Sequence, residues 1–288
     1  MKGREKAVKL SEILREKTRN SIRLFPQDSV CEKTGCTRFG GVPDLPPGFR
    51  WPCFTTETYD DPVERPRSLT FLAQFNCAEL APLDPDGWLP KTGLLSFFYE
   101  LGSQRWGFDP KDAGCARVYW FERTDDLLPA AIPPGPEEPP MLLPALGIRA
   151  EAEKSLPGFE DLAPEESGRF QWDSYSDALL ALGVQEPESC HKLLGWPNMI
   201  QGNMTVQCEL VSQGYYMGDA LENIPKALWE RARHTSTEDW RLLFQMDTLG
   251  QGDCVPMFGD CGRIYFYIRK EDLLARRFDR VWLILQCC

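Results

Sequence analysis

The chain has 288 residues, with 32 Lys and Arg against 43 Asp and Glu, for a formal charge of -11. A net-acidic surface repels phosphate backbones and anionic lipid, which argues against nucleic-acid and membrane partners. The composition, 42% hydrophobic and 26% charged, is that of an ordinary folded protein. No apolar run reaches the length of a membrane span or secretion signal, so a cytoplasmic location is expected.

In chain order, Ala7, Leu10, Ile13 and Leu14 recur at three- and four-residue spacing among Lys, Arg and Glu. With Leu24 and Phe25 following before Pro26, they predict an amphipathic helical extension over residues 1–26, laid on the body. Next comes Arg38-Phe39-Gly40-Gly41-Val42-Pro43, continuing to Trp51-Pro52. Paired glycines among prolines and aromatics predict an ordered loop. The glycine-lysine or strand-glycine-helix setting of a phosphate cradle is missing.

Three strand-like words follow: LTFLAQFN (Leu69 to Asn76), GLLSFFYE (Gly93 to Glu100) and ARVYWFE (Ala116 to Glu122). Pro129 to Pro144 holds seven prolines, which fits a surface strap better than a helix or a central strand. Trp172, Tyr175, Ala178, Leu179 and Leu182 mark a short helix ending at Gly183, with Asp173 or Ser174 as its cap. A second helix is expected within Asp219 to Arg233, beginning near Ile224 with Pro225 in its first turn. The chain closes with three more strand words, RLLFQMD, GRIYFYIR and DRVWLIL.

The FGGVPDLPPGFRWP segment, LTFLAQFN, GLLSFFYE and GDCGRIYFYIR together resemble the YwqG-like family over about residues 20 to 286. That resemblance implies a compact α+β body with much antiparallel sheet. It brings no established catalytic residue to carry over.

The late words repeat the early ones. Gln245 answers Gln74 at an offset of 171, Gly262 answers Gly93 at 169, and Arg280 answers Arg117 at 163. Gly195-Trp196-Pro197 answers Gly41-Val42-Pro43 at 154. Four echoes in one order predict a duplicated α+β fold, with a largely antiparallel sheet core and short flanking helices. The expected organisation is the extension (1–26), a first pseudo-repeat lobe (27–128), a Pro-rich crossover with an acidic and helical insertion (129–191), and a second lobe (192–288). All four belong to one compact domain.

Chemistry-bearing residues are sparse. Gln74 and Gln245 either bridge backbones at the lobe interface or line a pseudo-symmetric ligand cleft. Asp247, Asp253 and Asp260 offer three carboxylates for a hard divalent cation, with Gln245 as a further oxygen ligand. Alternatively, Arg263 clamps an anionic group while Asp247 or Asp260 acts as general base. The plainer reading makes these aspartates turn residues that satisfy nearby backbone donors. Asn76 stands where the second copy has Asp247, which argues against paired active sites.

Only two histidines occur, which excludes a multi-histidine metal centre, and His191 and His234 are expected at turns or the surface. The eleven cysteines form no paired zinc pattern and are expected to be mostly buried thiols, with Cys287 and Cys288 exposed. A zinc site on Cys254 and Cys261 would have weak spacing. Phe97, Phe98, Tyr99, Tyr119, Trp120 and Phe121 fit core packing better than a base-stacking platform, because no basic groove accompanies them. Trp51, Trp106 and Trp196 are candidates for the rim of a small-molecule cleft.

The expected function is noncatalytic recognition of a protein or small polar ligand across the two lobes, with no organic cofactor. The alternative is a carboxylate-based hydrolase, with or without assistance from a metal. The sequence leaves metal, substrate and oligomeric state open.

Overall fold

A computed structural model describes residues 2–29, 33–130, 140–185, 187, 189–218, 223–249 and 256–288. The strands are β1 (Arg19–Gln27), β2 (Arg38–Phe39), β3 (Asp44–Leu45), β4 (Cys53–Thr56), β5 (Arg65–Ser68), β6 (Thr70–Asn76), β7 (Leu94–Tyr99), β8 (Ala116–Phe121), β9 (Leu128–Pro129), β10 (Leu146–Ser155), β11 (Lys192–Leu194), β12 (Trp240–Asp247), β13 (Arg263–Arg269) and β14 (Trp282–Gln286). The helices are α1 (Lys2–Glu16), α2 (Cys77–Leu80), α3 (Pro164–Ser167), α4 (Trp172–Ala181), α5 (Thr205–Val211), α6 (Lys226–Asp239) and α7 (Lys270–Leu274). No helix among the described residues is long and apolar enough to cross a membrane.

Ten strands form one sheet in the order β14-β13-β12-β11-β1-β10-β2-β6-β7-β8, and every neighbouring pair is antiparallel. The fold is therefore α+β. The order is symmetric about its centre. The four strands β2, β6, β7 and β8 make one arm, and β11, β12, β13 and β14 make the other. Between them β1 and β10 pair along their whole lengths, from Arg19 opposite Ser155 to Gln27 opposite Gly147. Each arm is thus hydrogen-bonded to the strand that precedes the other arm in sequence, so neither separates as an independent unit.

The centre departs from the helical reading of residues 1–26. Helix α1 stops at Glu16, and residues 19–27 form the central strand β1. The reason is a change of period. Ile22 and Leu24 face the core, while Ser21 and Arg23 alternate with them on the opposite face. Likewise β10 sends Glu151 and Glu153 to the Arg23 face.

The sheet curls until the arms meet. Phe97 of β7 lies 4.9 Å from Phe244 of β12 and 5.1 Å from Phe266 of β13, between ring centroids. Phe75 lies 5.0 Å from Phe244, and Phe39 is also in the cluster. Such edge-to-face and offset pairs add about 0.5–1.5 kcal/mol each beyond the burial of their area. At the far edge, Leu285 N–H donates to Trp106 O at 3.0 Å and the Trp282 indole donates to Gly107 O at 2.9 Å. These bonds tie the last strand to the loop after β7. Phe97, Phe98 and Tyr99 are all buried.

Helices α1 and α4 pack together through Leu10, Leu14, Tyr175 and Ala178. Gln171 stands at the N-cap of α4 without a side-chain cap bond, where Asp173 or Ser174 was expected. Among the described residues, Cys36, Cys77, Cys115, Cys190, Cys208 and Cys287 are buried, while Cys53, Cys261 and Cys288 are exposed. The burial of Cys287 corrects the expectation that both terminal thiols face solvent. It continues β14, and its side chain packs over Gly259 and Gly262.

Candidate functional site

The two arms carry matching loops. In the first, Gln74 on β6 accepts from Asp44 N at 3.0 Å and donates to Cys36 O at 2.9 Å and Asp44 Oδ2 at 2.6 Å. In the second, Gln245 on β12 accepts from Asn198 N at 2.8 Å and donates to Cys190 O and to Asn198 Oδ1 at 3.3 Å. Arg38 donates to Val42 O, and Lys192 donates to Trp196 O at 3.3 Å. All these loop partners stand 154 residues apart, the offset of the glycine-proline echo. Both glutamines are fully buried, and these bonds fix the loops 36–44 and 190–198 against their strands. Gly40 and Gly41 have φ of 54° and 71°, and Leu194 and Gly195 have 61° and 74°. The same left-handed turn therefore occurs in both arms.

Of the late polar residues, the structure brings Gln245, Asp247 and Arg263 together. Asp247 Oδ2 accepts from Cys190 N at 3.0 Å and forms an ion pair with Arg263 Nε at 3.1 Å, while Oδ1 accepts from Thr248 N at 3.0 Å. Arg263 Nη1 and the Tyr265 hydroxyl both donate to Asn198 O, at 3.1 and 2.7 Å. Gln74 belongs to the other arm, Asp260 is exposed at a turn, and Asp253 and Cys254 lie outside the described residues. Among the described residues no group of three or more His, Cys, Asp or Glu is arranged to hold a metal ion.

His191 is 2% exposed, a correction to the turn or surface reading. Strand alternation puts it on the core face with Leu193, where its ring packs 5.0 Å from that of Phe39. Asp247 N–H donates to its Nδ1 at 3.1 Å, and burial pushes its pKa down to about 4. Cys190 and Lys192 take the opposite face.

That opposite face holds a cavity of about 430 Å³, a volume suited to a small ligand. Its floor is the charged group Arg23, Glu153 and Lys192, on β1, β10 and β11. Arg23 and Lys192 are directly opposite each other, and Lys192 is opposite Gln245. Leu156, Phe159, Tyr175 and Leu179 give one apolar wall, and Trp196 and Met199 another. Arg23 Nη1 lies 3.2 Å from Glu153 Oε1, and Arg23 Nη2 donates to Ser189 O at 2.9 Å. Glu153 also accepts from the Ser21 hydroxyl at 3.3 Å.

Lys192 is 5% exposed. Its ammonium has three donors but makes one hydrogen bond among the described residues, to Trp196 O, with Glu153 Oε2 at 3.8 Å. Burial lowers its pKa, with Glu153 acting in the opposite sense. A second cavity of about 610 Å³ shares Phe159, Glu160, Gln201 and Gly202 with the first and extends to Met217 and Trp229.

The sequence marks Trp172, Tyr175 and Leu179 as a helix face, and of the residues lining this cavity it offers Trp196 alone as the rim of a small-molecule cleft. Trp51 lines a separate shallow pocket with Phe49, and Trp106 lies by β14. The alternating charges of IRAEAEKS were a usable signal for a polar sheet face, but nothing local pairs them with Arg23 and Lys192.

No curated protein matches the chain. A family model described as "Domain of unknown function (DUF1963)" matches residues 37–287 and so spans both arms, the Pro-rich crossover and the helical insertion. The chain belongs to this DUF1963 family, whose function is unknown.

Proposed function

We propose that the protein is a noncatalytic binding module for a small polar ligand, seated between the charged centre of the sheet and the segment that carries α4. The observation that carries this reading is Lys192, a buried ammonium at a cavity floor with one of its three donors bonded. Leaving such a group incompletely paired is costly for a fold, and ligand atoms that satisfy it recover part of that cost. The apolar walls supply the area that binds the body of a ligand. Asp247, central to the hydrolase alternative, already has both oxygens engaged by Cys190, Thr248 and Arg263.

Two further readings belong with this one. The symmetric strand order and the constant loop offset support an origin of the arms by duplication, with residues 27–128 and 192–288 as the two copies. The YwqG-like resemblance is compatible with the family match.

The test is native mass spectrometry of the full chain before and after denaturation, paired with ligand-observed NMR. The NMR probes are 3-phenylpropanoate, 3-phenylpropanamide and 2-phenylethylamine. At least one probe or one co-purified molecule is expected to bind at one-to-one stoichiometry, and Leu179→Trp, which fills the cavity, is expected to abolish it. Failure of all three probes together with no retained molecule overturns the reading, as does binding that Leu179→Trp leaves intact.

A further inference from the structure

The two matching loops differ at one electrostatic position. In the first arm the buried cation, Arg38, is paired with Asp44 at 2.8 Å, and Asp44 is held in place by Gln74 and by the Gly35 N–H at 2.9 Å. In the second arm the cation is retained as Lys192, and its carbonyl partner is retained as Trp196 O. The glutamine is retained as Gln245, with the same bond to the loop backbone. The carboxylate is not retained. Asn198 stands in the place of Asp44, and its amide makes no hydrogen bond to Lys192 among the described residues. The first arm's site is closed by its own carboxylate. The second faces the cavity, which both Lys192 and Asn198 line.

The charges at the floor do not cancel. Among the described residues, Arg23 and Lys192 share the single carboxylate of Glu153, at 3.2 and 3.8 Å, which leaves one positive charge in excess. The other two charged side chains on the cavity among the described residues, Lys154 and Glu160, are of opposite sign and are bonded elsewhere, to Asn20 and to Asn203 N. One uncompensated cation, set beside apolar walls, matches a ligand with one negative charge and an apolar body. A dianionic phosphate would leave the site negative.

We infer that the ligand of this cavity is a small monocarboxylic acid with an apolar body, whose carboxylate bonds Lys192 and fills the role that Asp44 fills for Arg38. This inference rests on the binding reading above. It names the ligand class and Lys192 and Asn198 as the residues that select it.

The experiment is isothermal titration of the full chain with 3-phenylpropanoate and with its neutral amide, 3-phenylpropanamide. The wild type is expected to prefer the acid by about tenfold or more, the scale of one charge-assisted hydrogen bond. Asn198→Asp restores the carboxylate of the first arm and neutralises Lys192 without removing it. It is expected to weaken the acid by about tenfold or more and to remove the preference for the acid over the amide, and Lys192→Met is expected to remove that preference as well. Asn198→Asp keeps every core side chain, so the test survives if Lys192→Met does not fold. If the amide binds the wild type as tightly as the acid, or Asn198→Asp leaves acid affinity unchanged, the carboxylate assignment falls and the cavity reading stands. If the acid does not bind at all, the assignment falls, and the cavity reading is then judged by the retained-ligand and Leu179→Trp results.

Discussion

Gln74 and Gln245 make the same three hydrogen bonds in opposite arms of one sheet, each to a loop backbone N–H, a cysteine carbonyl and the side-chain oxygen of residue 44 or 198. Their amides are structural pins. Gln245→Leu leaves Asn198 N–H and Cys190 O without their partner and is expected to destabilise the protein by about 2–4 kcal/mol in urea unfolding. A loss under about 0.5 kcal/mol, the size of an ordinary surface change, would show that the loop is held by other bonds.

Gly40 has φ of 54°, and a Cβ there would stand 2.1 Å from Pro144 O, a backbone atom that cannot rotate away. Gly40→Ala combines strain with a clash and is expected to cost about 3 kcal/mol or more. The check is the midpoint of thermal unfolding, with Gly48→Ala for comparison. Gly48 also has positive φ but open space around it, so it reports the backbone term alone.

His191 sets an acid-side limit. Its pKa is pushed down to about 4 in the fold, from about 6.5 in an unfolded chain. The unfolded state therefore takes up a proton first as pH falls, and the contribution present above pH 6.5 is lost towards pH 4. His191→Asn keeps an acceptor for Asp247 N–H without a titrating ring. Its melting temperature should fall less than the wild type's between pH 6.5 and 4.5. Parallel curves would remove His191 from the acid transition.

Asp161 acts in the opposite direction. Burial raises its pKa to about 7, against the lowering effects of the Gly158 N–H, the Arg19 charge and Asn203. Its contribution is fully present below the unfolded value of 3.8 and is lost as pH rises through about 7. Between pH 5 and 8 the wild type is expected to lose about 2.5–3 kcal/mol from this group, at about 1.4 kcal/mol per unit up to about pH 7. Asp161→Asn should flatten that slope in urea titrations at pH 5, 6.5 and 8. An unchanged slope would assign it to another residue.

The strand words around Gln74 and Gln245, the ordered loop at Gly40 and Gly41, and the short helix after Gln171 were all legible in the sequence. Each is set by local rules: apolar alternation, glycine's access to positive φ and helical spacing. The matching words of the two arms were legible for the same reason, since they need only be read side by side. Strands β1 and β10 were not. Their outer faces carry Arg23, Glu151 and Glu153, which lie locally in the expected helical extension and in a segment of alternating charged and apolar residues, and only pairing with each other and with the two arms makes them the centre of the sheet. His191 was misplaced because burial depends on which face of β11 meets Phe39, and that is settled by sheet curvature. The cavity was hidden most completely. Arg23, Glu153 and Lys192 come from three distant segments, and their shared charge balance exists only once long-range hydrogen bonding sets those strands side by side.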